Sequence, residues 1–343
     1  MSPQCKFASS LLAVSAFSFL ASAIYLATEI ENGQDAVKLR NSLIYEVRSG
    51  DPYDWSPEET PNDFLQGGGK GLVPAQLLEA LDGLFSPSES DQNEFHKAIA
   101  IGRHLVEKKR RPAIPIQSNT LKAYLEITAH GKGYCADYTQ VFNGLATLAD
   151  IPVREWGMSF DGYGGDGHAF NEVYDRTLDK WIFIDTFYSA FVTDQTRTPL
   201  SVAEFRDMLR KGQYDALNVE FINPTKFSFA STRQWLEYYR KGMDSLYLIW
   251  GNNVLAYDTH TLLAWLGSVS RVAEQAAAII LGHYPKIIIR DDWKNDAGLR
   301  ELMLLRAILI LSIISALVAI SCLLYLALVG RRVSFPVNET VQK

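Results

Sequence analysis

Residues 133–155 read GYCADYTQVFNGLATLADIPVRE: a glycine, an aromatic residue and a cysteine running straight into a helical pattern. Tyr138, Phe142, Leu145 and Ala149 recur at three- and four-residue spacing, so they form one stripe of a helix that starts at Cys135 and is closed by Pro152. A cysteine at that position meets unpaired backbone amides and the positive end of the helix dipole, which favour thiolate over thiol. The same amides, that of Cys135 first, can receive the oxyanion of an acyl intermediate. Cysteines stand only at positions 5, 135 and 322, which excludes a disulfide framework and a four-ligand zinc site. Cys135 is the one outside the apolar ends, and nucleophilic chemistry gives it a purpose; the alternative is an inert buried thiol.

Working outward, His168–Tyr174 and Trp181–Asp185 alternate as strands about the polar run Asp175–Lys180, so the order is helix, strand, strand, strand. With a turn centred between Arg176 and Thr177, His168 and Asp185 are directly opposed and share a face. A carboxylate on the far ring nitrogen fixes the histidine tautomer and stabilises imidazolium, while the near nitrogen takes a thiol proton. His168 also follows the glycine-rich loop DGYGGDG, expected as a mobile lid. Asp161, Asp166 and His168 could suggest a metal site, but the loop lacks the regular oxygen spacing of a calcium site.

GYCADYTQVFNGLATLADIPVRE, then GHAFNEVY at 167–174 and KWIFIDTFY at 180–188, together resemble the transglutaminase-like superfamily over about residues 115–210. The resemblance implies an α+β, papain-like cysteine-protease fold in which Cys135 is nucleophile, His168 general base and then acid, and Asp185 orienter. No cofactor or metal is implied. Thr186 replaces the proline common after the aspartate, and Phe170 stands where tryptophan is frequent; neither touches the triad chemistry. The stretch PLSVAEFRDMLRKG, residues 199–212, is similar to the continuation in transglutaminase-like proteins encoded among bacterial surface-polysaccharide functions, which implies an envelope role. It also carries a capping box, Ser201 with Glu204 three residues on.

The chain ends decide the expected compartment. Phe7–Ala27 and Ala307–Gly330 hold 21 and 24 residues without a charge, each near the roughly 20 that span a bilayer. Lys6 precedes the first run, Arg331 and Arg332 follow the second, and Glu29, Glu31 and Asp35 lie just past the first. The positive-inside rule then places both termini in the cytoplasm, and residues 29–301 in the periplasm of an inner-membrane protein. Arg300 and Arg306 flank the second run on the outer side, where Arg306 can snorkel. Ala21-Ser22-Ala23 offers a signal-peptidase alternative, although the apolar run continues past it. The expected divisions are a span at 1–28, a linker and helical region at 29–114, the catalytic domain at 115–212, an aromatic-rich helical extension at 213–301, a span at 302–330 and a tail at 331–343.

Across 343 residues, 33 Lys and Arg against 39 Asp and Glu argue against a nucleic-acid partner. Setting aside Lys6, Arg306, Arg331, Arg332 and Lys343 on one side and Glu339 on the other leaves 28 basic and 38 acidic residues in the exported part, which should not cling to anionic lipid. GGGKG at 67–71 has Phe64 where a phosphate loop needs its first glycine and Gly71 where it needs Ser or Thr. Pro74–Phe85 and Ser90–Arg110 read as helices, the second capped by Ser90. Eleven aromatic residues fall between Tyr214 and Trp265, a core or a groove for sugars or peptides. Thr259–Gly282 reads as one amphipathic helix, and Arg271, Glu274 and Gln275 keep it from being a third span.

Two functions compete at this level. One is a membrane-anchored cysteine acyl-transfer enzyme acting on a peptide, amide or ester substrate. The other is a non-enzymatic scaffold that keeps the fold and holds surface-polysaccharide machinery.

Overall fold

A computed structural model describes residues 2–29, 33–49, 55–65, 73–85 and 93–333. The GGGKG run and the Ser90 cap lie outside these described residues. In chain order the helices are α1 (Pro3–Thr28), α2 (Gly33–Ile44), α3 (Ala75–Asp82), α4 (Glu94–Val106), α5 (Thr120–His130), α6 (Cys135–Leu148), α7 (Val202–Arg210), α8 (Thr232–Gly242), α9 (Val254–Asp258), α10 (Thr261–Val269), α11 (Arg271–Ile280) and α12 (Asp296–Val333). The strands are β1 (Tyr45–Arg48), β2 (Val153–Ser159), β3 (Gly167–Asp175), β4 (Lys180–Ile184), β5 (Ala190–Thr193), β6 (Asn218–Phe221), β7 (Leu246–Trp250) and β8 (Lys286–Arg290).

The chain divides into two units, 1–43 with 297–343, and 44–296. In the first, α1 and α12 are long and apolar enough to cross a membrane, with mean hydropathy of 1.9 and 2.8 over their 18-residue windows. The charges near the start of α12 are met inside this unit: Glu301 pairs with Lys38 at 2.7 Å and Arg306 donates to the Ser42 carbonyl at 2.5 Å.

The second unit is α+β. Its six-stranded sheet runs β1-β8-β7-β2-β3-β4, with β1 and β8 parallel and the other pairs antiparallel, beside a two-stranded β5-β6 ribbon. Alternation along the strands divides two cores. Val173, Ile182 and Ile184 join the aliphatic residues of α4, α5 and α6, whereas Phe170, Trp181 and Phe183 join an aromatic layer with Phe205 of α7 and Trp235 and Tyr239 of α8.

Both layers are fastened by buried polar groups that the apolar pattern does not disclose. On the helical side, Asn143 of α6 donates to Glu155 of β2 at 2.9 Å and accepts from Asn171 of β3 at 2.7 Å, fixing the helix against the sheet. On the aromatic side the fully buried Glu172 accepts from Arg154 and Trp156 of β2, each at 2.5 Å, and from the first amide of α7 at 2.6 Å. The expected Ser201–Glu204 box caps the same helix.

Several boundaries differ from the sequence reading. The segment 213–301, expected as a helical extension, supplies β7 and β8 to the main sheet and α8 to the aromatic layer, because its Leu, Ile and Trp side chains complete those cores. The stretch expected as one helix over Thr259–Gly282 breaks at Ser270, whose φ of −158° caps α11. The helix expected from Ser90 is α4, which starts at Glu94 where the Asn93 side chain accepts from the His96 amide at 3.0 Å.

Glu172→Ala removes the anion facing buried Arg154 and should lower stability by about 3–5 kcal/mol. Thermal and denaturant unfolding of the detergent-solubilised chain measures this. A loss under about 1 kcal/mol would show that Glu172 does not fasten α7 to the sheet.

Candidate active site

Cys135 is the first residue of α6 and is half-buried. Its position is set by the turn before it. Gly133 adopts φ +118°, where a Cβ would also come within 3.0 Å of the Tyr138 ring, and its amide donates to the Ile114 carbonyl at 2.8 Å. Asp137, buried in the first turn, accepts from the amides of Tyr134 at 2.8 Å, Gln117 at 2.9 Å and Ile116 at 3.1 Å. One carboxylate thus ties the cysteine turn to the segment before α5.

His168, buried near the start of β3, and Asp185, fully buried just past β4, lie on the aromatic face of the sheet. Their relation differs from the expected direct opposition. Tyr174 pairs with Trp181 and Asn171 with Ile184, so the turn is centred between Thr177 and Leu178 and the register is offset by two residues. An offset of two preserves the face, and Asp185 reaches His168 diagonally, Oδ2 to Nε2 at 3.1 Å.

The Asp185 carboxylate is fully partnered. Besides His168, the Tyr239 hydroxyl donates to Oδ2 at 2.7 Å and the Tyr188 amide donates to Oδ1 at 2.9 Å. Burial, then the Asp185 charge, pushes the Tyr239 phenol well above its ordinary pKa, so it remains a donor. Burial opposes charge on His168, but Asp185 and Cys135 outweigh it and raise the imidazole to about 9. Cys135 therefore acts electrostatically on the imidazole that Asp185 holds, and Nδ1 is the ring nitrogen left for it.

Aromatic rings enclose the histidine, with Tyr188 4.6 Å and Tyr239 5.9 Å from it, centroid to centroid. Lys109 sits beside them, its ammonium 3.8 Å over the Phe187 ring and donating to the Phe187 carbonyl. Burial lowers Lys109 to about 8, against the opposing charges of Asp185 and Cys135.

The structure brings Cys135, His168 and Asp185 together, while Asp161 and Asp166 stay in the glycine loop. Among the described residues no group of three or more His, Cys, Asp and Glu is arranged to hold a metal. The loop expected as a lid is tied down in this conformation: Phe160 donates to the Asp166 carbonyl at 2.9 Å, and fully buried Tyr163 accepts from the Asn295 amide at 2.6 Å. Sequence reasoning missed Asp137, Tyr239, Tyr188 and Lys109. The aromatic density from Tyr214 onward was the one available signal for Tyr239.

A cysteine leading a helix against a strand-borne histidine, on an α+β scaffold, defines the class of site. Residues 86–186, which include all three, match the model of the transglutaminase-like superfamily, whose members are generally cysteine-dependent enzymes. A solved structure of a protein from Cytophaga hutchinsonii, proposed to be a cysteine protease, is 23% identical with a TM-score of 0.26. The similarity covers 33% of this chain and 37% of that one, so the chain spans little more than a third of its length. Among curated proteins no sequence matches.

A histidine whose pKa rises on folding, from 6.5 to about 9, contributes stability that is complete below about pH 6.5 and is lost as pH climbs through 9. The stability difference between wild type and His168→Gln should therefore narrow over that window. A constant difference in unfolding free energy across it would contradict the proposed charge pairing.

Proposed function

We propose that the protein is a membrane-anchored cysteine acyl-transfer enzyme with a periplasmic catalytic domain, acting on an amide or ester of the bacterial cell envelope. The observation that carries this reading is the Asp185-bound His168 whose imidazolium is favoured by Cys135. In the proposed reaction His168 takes the thiol proton, and the sulfur attacks the substrate carbonyl to form a tetrahedral oxyanion. The amide of Cys135 is the candidate donor to that oxyanion. Collapse expels an amine or alcohol that receives the proton from His168, leaving a thioester on Cys135. Water, deprotonated by His168, then releases the acid and restores the thiol. Hydrolysis is favoured over transfer to an amine because water needs no second binding site. Tyr239 and the Tyr188 amide hold Asp185, and through it the histidine; they are positioning groups.

The two apolar helices support the anchor, and the charges flanking them support cytoplasmic termini. The likeness of residues 199–212 to proteins of surface-polysaccharide systems supports the envelope setting.

Activated ester and amide substrates, with mass spectrometry of the acylated chain, test the proposal. Wild type should turn over and accumulate an adduct on Cys135. Cys135→Ser should abolish turnover, His168→Ala should reduce kcat by about 10²–10⁴, and Asp185→Asn should leave partial activity. The Cys135→Ser, Asp185→Asn double variant should be no worse than Cys135→Ser alone. Turnover by well-folded Cys135→Ser equal to wild type would contradict Cys135 as the nucleophile, and full complementation by it of a deletion phenotype would instead support a scaffold.

A further inference from the structure

Between Thr259 and Pro285 the chain has two charged residues, Arg271 and Glu274. They engage each other, Arg271 Nη1 to Glu274 Oε2 at 2.6 Å, and the Tyr257 hydroxyl adds a 3.1 Å bond to the same carboxylate. Glu274 is buried at 4% exposure, on the inner face that also holds Leu263 and Ala278. The outward positions are mostly apolar: Leu262, Trp265 at 62%, Val269 at 73%, Val272 at 80%, Ile280 at 83% and Leu281, with Arg271 the one charged side chain exposed beside them. An ordinary surface helix buries its apolar stripe and exposes its charges, whereas here the large apolar side chains face out and the carboxylate faces in. The two helices cross closely at Gly267, where a Cβ would meet the Glu274 carboxylate at 2.6 Å, so the buried carboxylate also fixes how the pair presents its apolar side.

Water is a poor solvent for such a face, and a contiguous apolar patch marks a protein or membrane contact. The α10–α11 pair is too short and too polar inside to span a bilayer, but the chain enters the apolar helix α12 at Asp296, 14 residues after Gly282. We propose that α10–α11 lies in the membrane interface as a third, non-spanning contact, with Val269, Val272 and Ile280 among the acyl chains and Trp265 at headgroup level. The occupant is the outer leaflet of the membrane that the two spans cross, and the inference rests on that anchored reading. Because the exported part carries 38 acids against 28 bases, the contact is apolar in origin and insensitive to salt.

Full-length wild-type protein in vesicles containing a phospholipid with a diazirine on its acyl chain provides the test, with labelled residues mapped by peptide mass spectrometry. Label should appear in 261–281 as well as in both spans, persist at high salt and be absent from α8. Val272→Asp with Ile280→Asp should lose label in 261–281 and keep it in the spans. Label in the spans alone overturns the proposal, and a dimer with 261–281 at its interface would then identify a second copy as the partner. Absence of label from both spans overturns the anchor reading itself.

Discussion

A carboxylate taken entirely out of water must be met by donors, and Asp185 is such a carboxylate. Its three partners come from three parts of the chain: His168 at the start of β3, the Tyr188 amide just beyond β4, and Tyr239 from α8, more than fifty residues on. Leaving any of them unmade would strand a buried charge or polar group at a cost of roughly 1–3 kcal/mol or more, against a net stability of only about 5–15 kcal/mol. Satisfying them requires that the hairpin register be right and that α8 be docked. The proposed chemistry and the folding of the aromatic layer therefore depend on one side chain, and the imidazole held by it is the one that senses Cys135.

The residues of this site were legible to different degrees for physical reasons. Cys135 announced itself by its place before a helical stripe, and His168 and Asp185 by parity: an error of two in register leaves a side chain on the same face, so the contact survived a misplaced turn. Helix α7 was readable from local chemistry, since a capping box is written within four residues. Tyr239 was not, because nothing in residues 232–242 reveals which aromatic ring of a buried layer carries a hydroxyl to a distant acid. The sheet strands β7 and β8 were lost in the same way: one is a five-residue apolar run and the other three isoleucines between Lys286 and Arg290, both in a region dominated by helical spacing. Ser270 broke an apparently continuous helix because its side chain accepts from the Ala273 amide, an alternative that periodicity does not register.

Charged residues mark where the chain departs from average behaviour. Glu172, Asp137 and Glu274 are all buried, and each organises backbone amides, an arginine or both. The first secures α7, the second the turn that presents Cys135, and the third the helix pair whose apolar face remains outside. Read as composition they count as solvated acids; in the fold each is a fastening point whose desolvation is offset by its donors.

The central claim is that Asp185 and His168 act as one unit on Cys135. Its most direct measurement is the rate at which a small haloacetamide alkylates Cys135 in the full-length chain near neutral pH, followed residue by residue with mass spectrometry. The account predicts that wild type reacts fastest, Asp185→Asn more slowly and His168→Ala most slowly, with the folds intact. Equal rates in all three would contradict it.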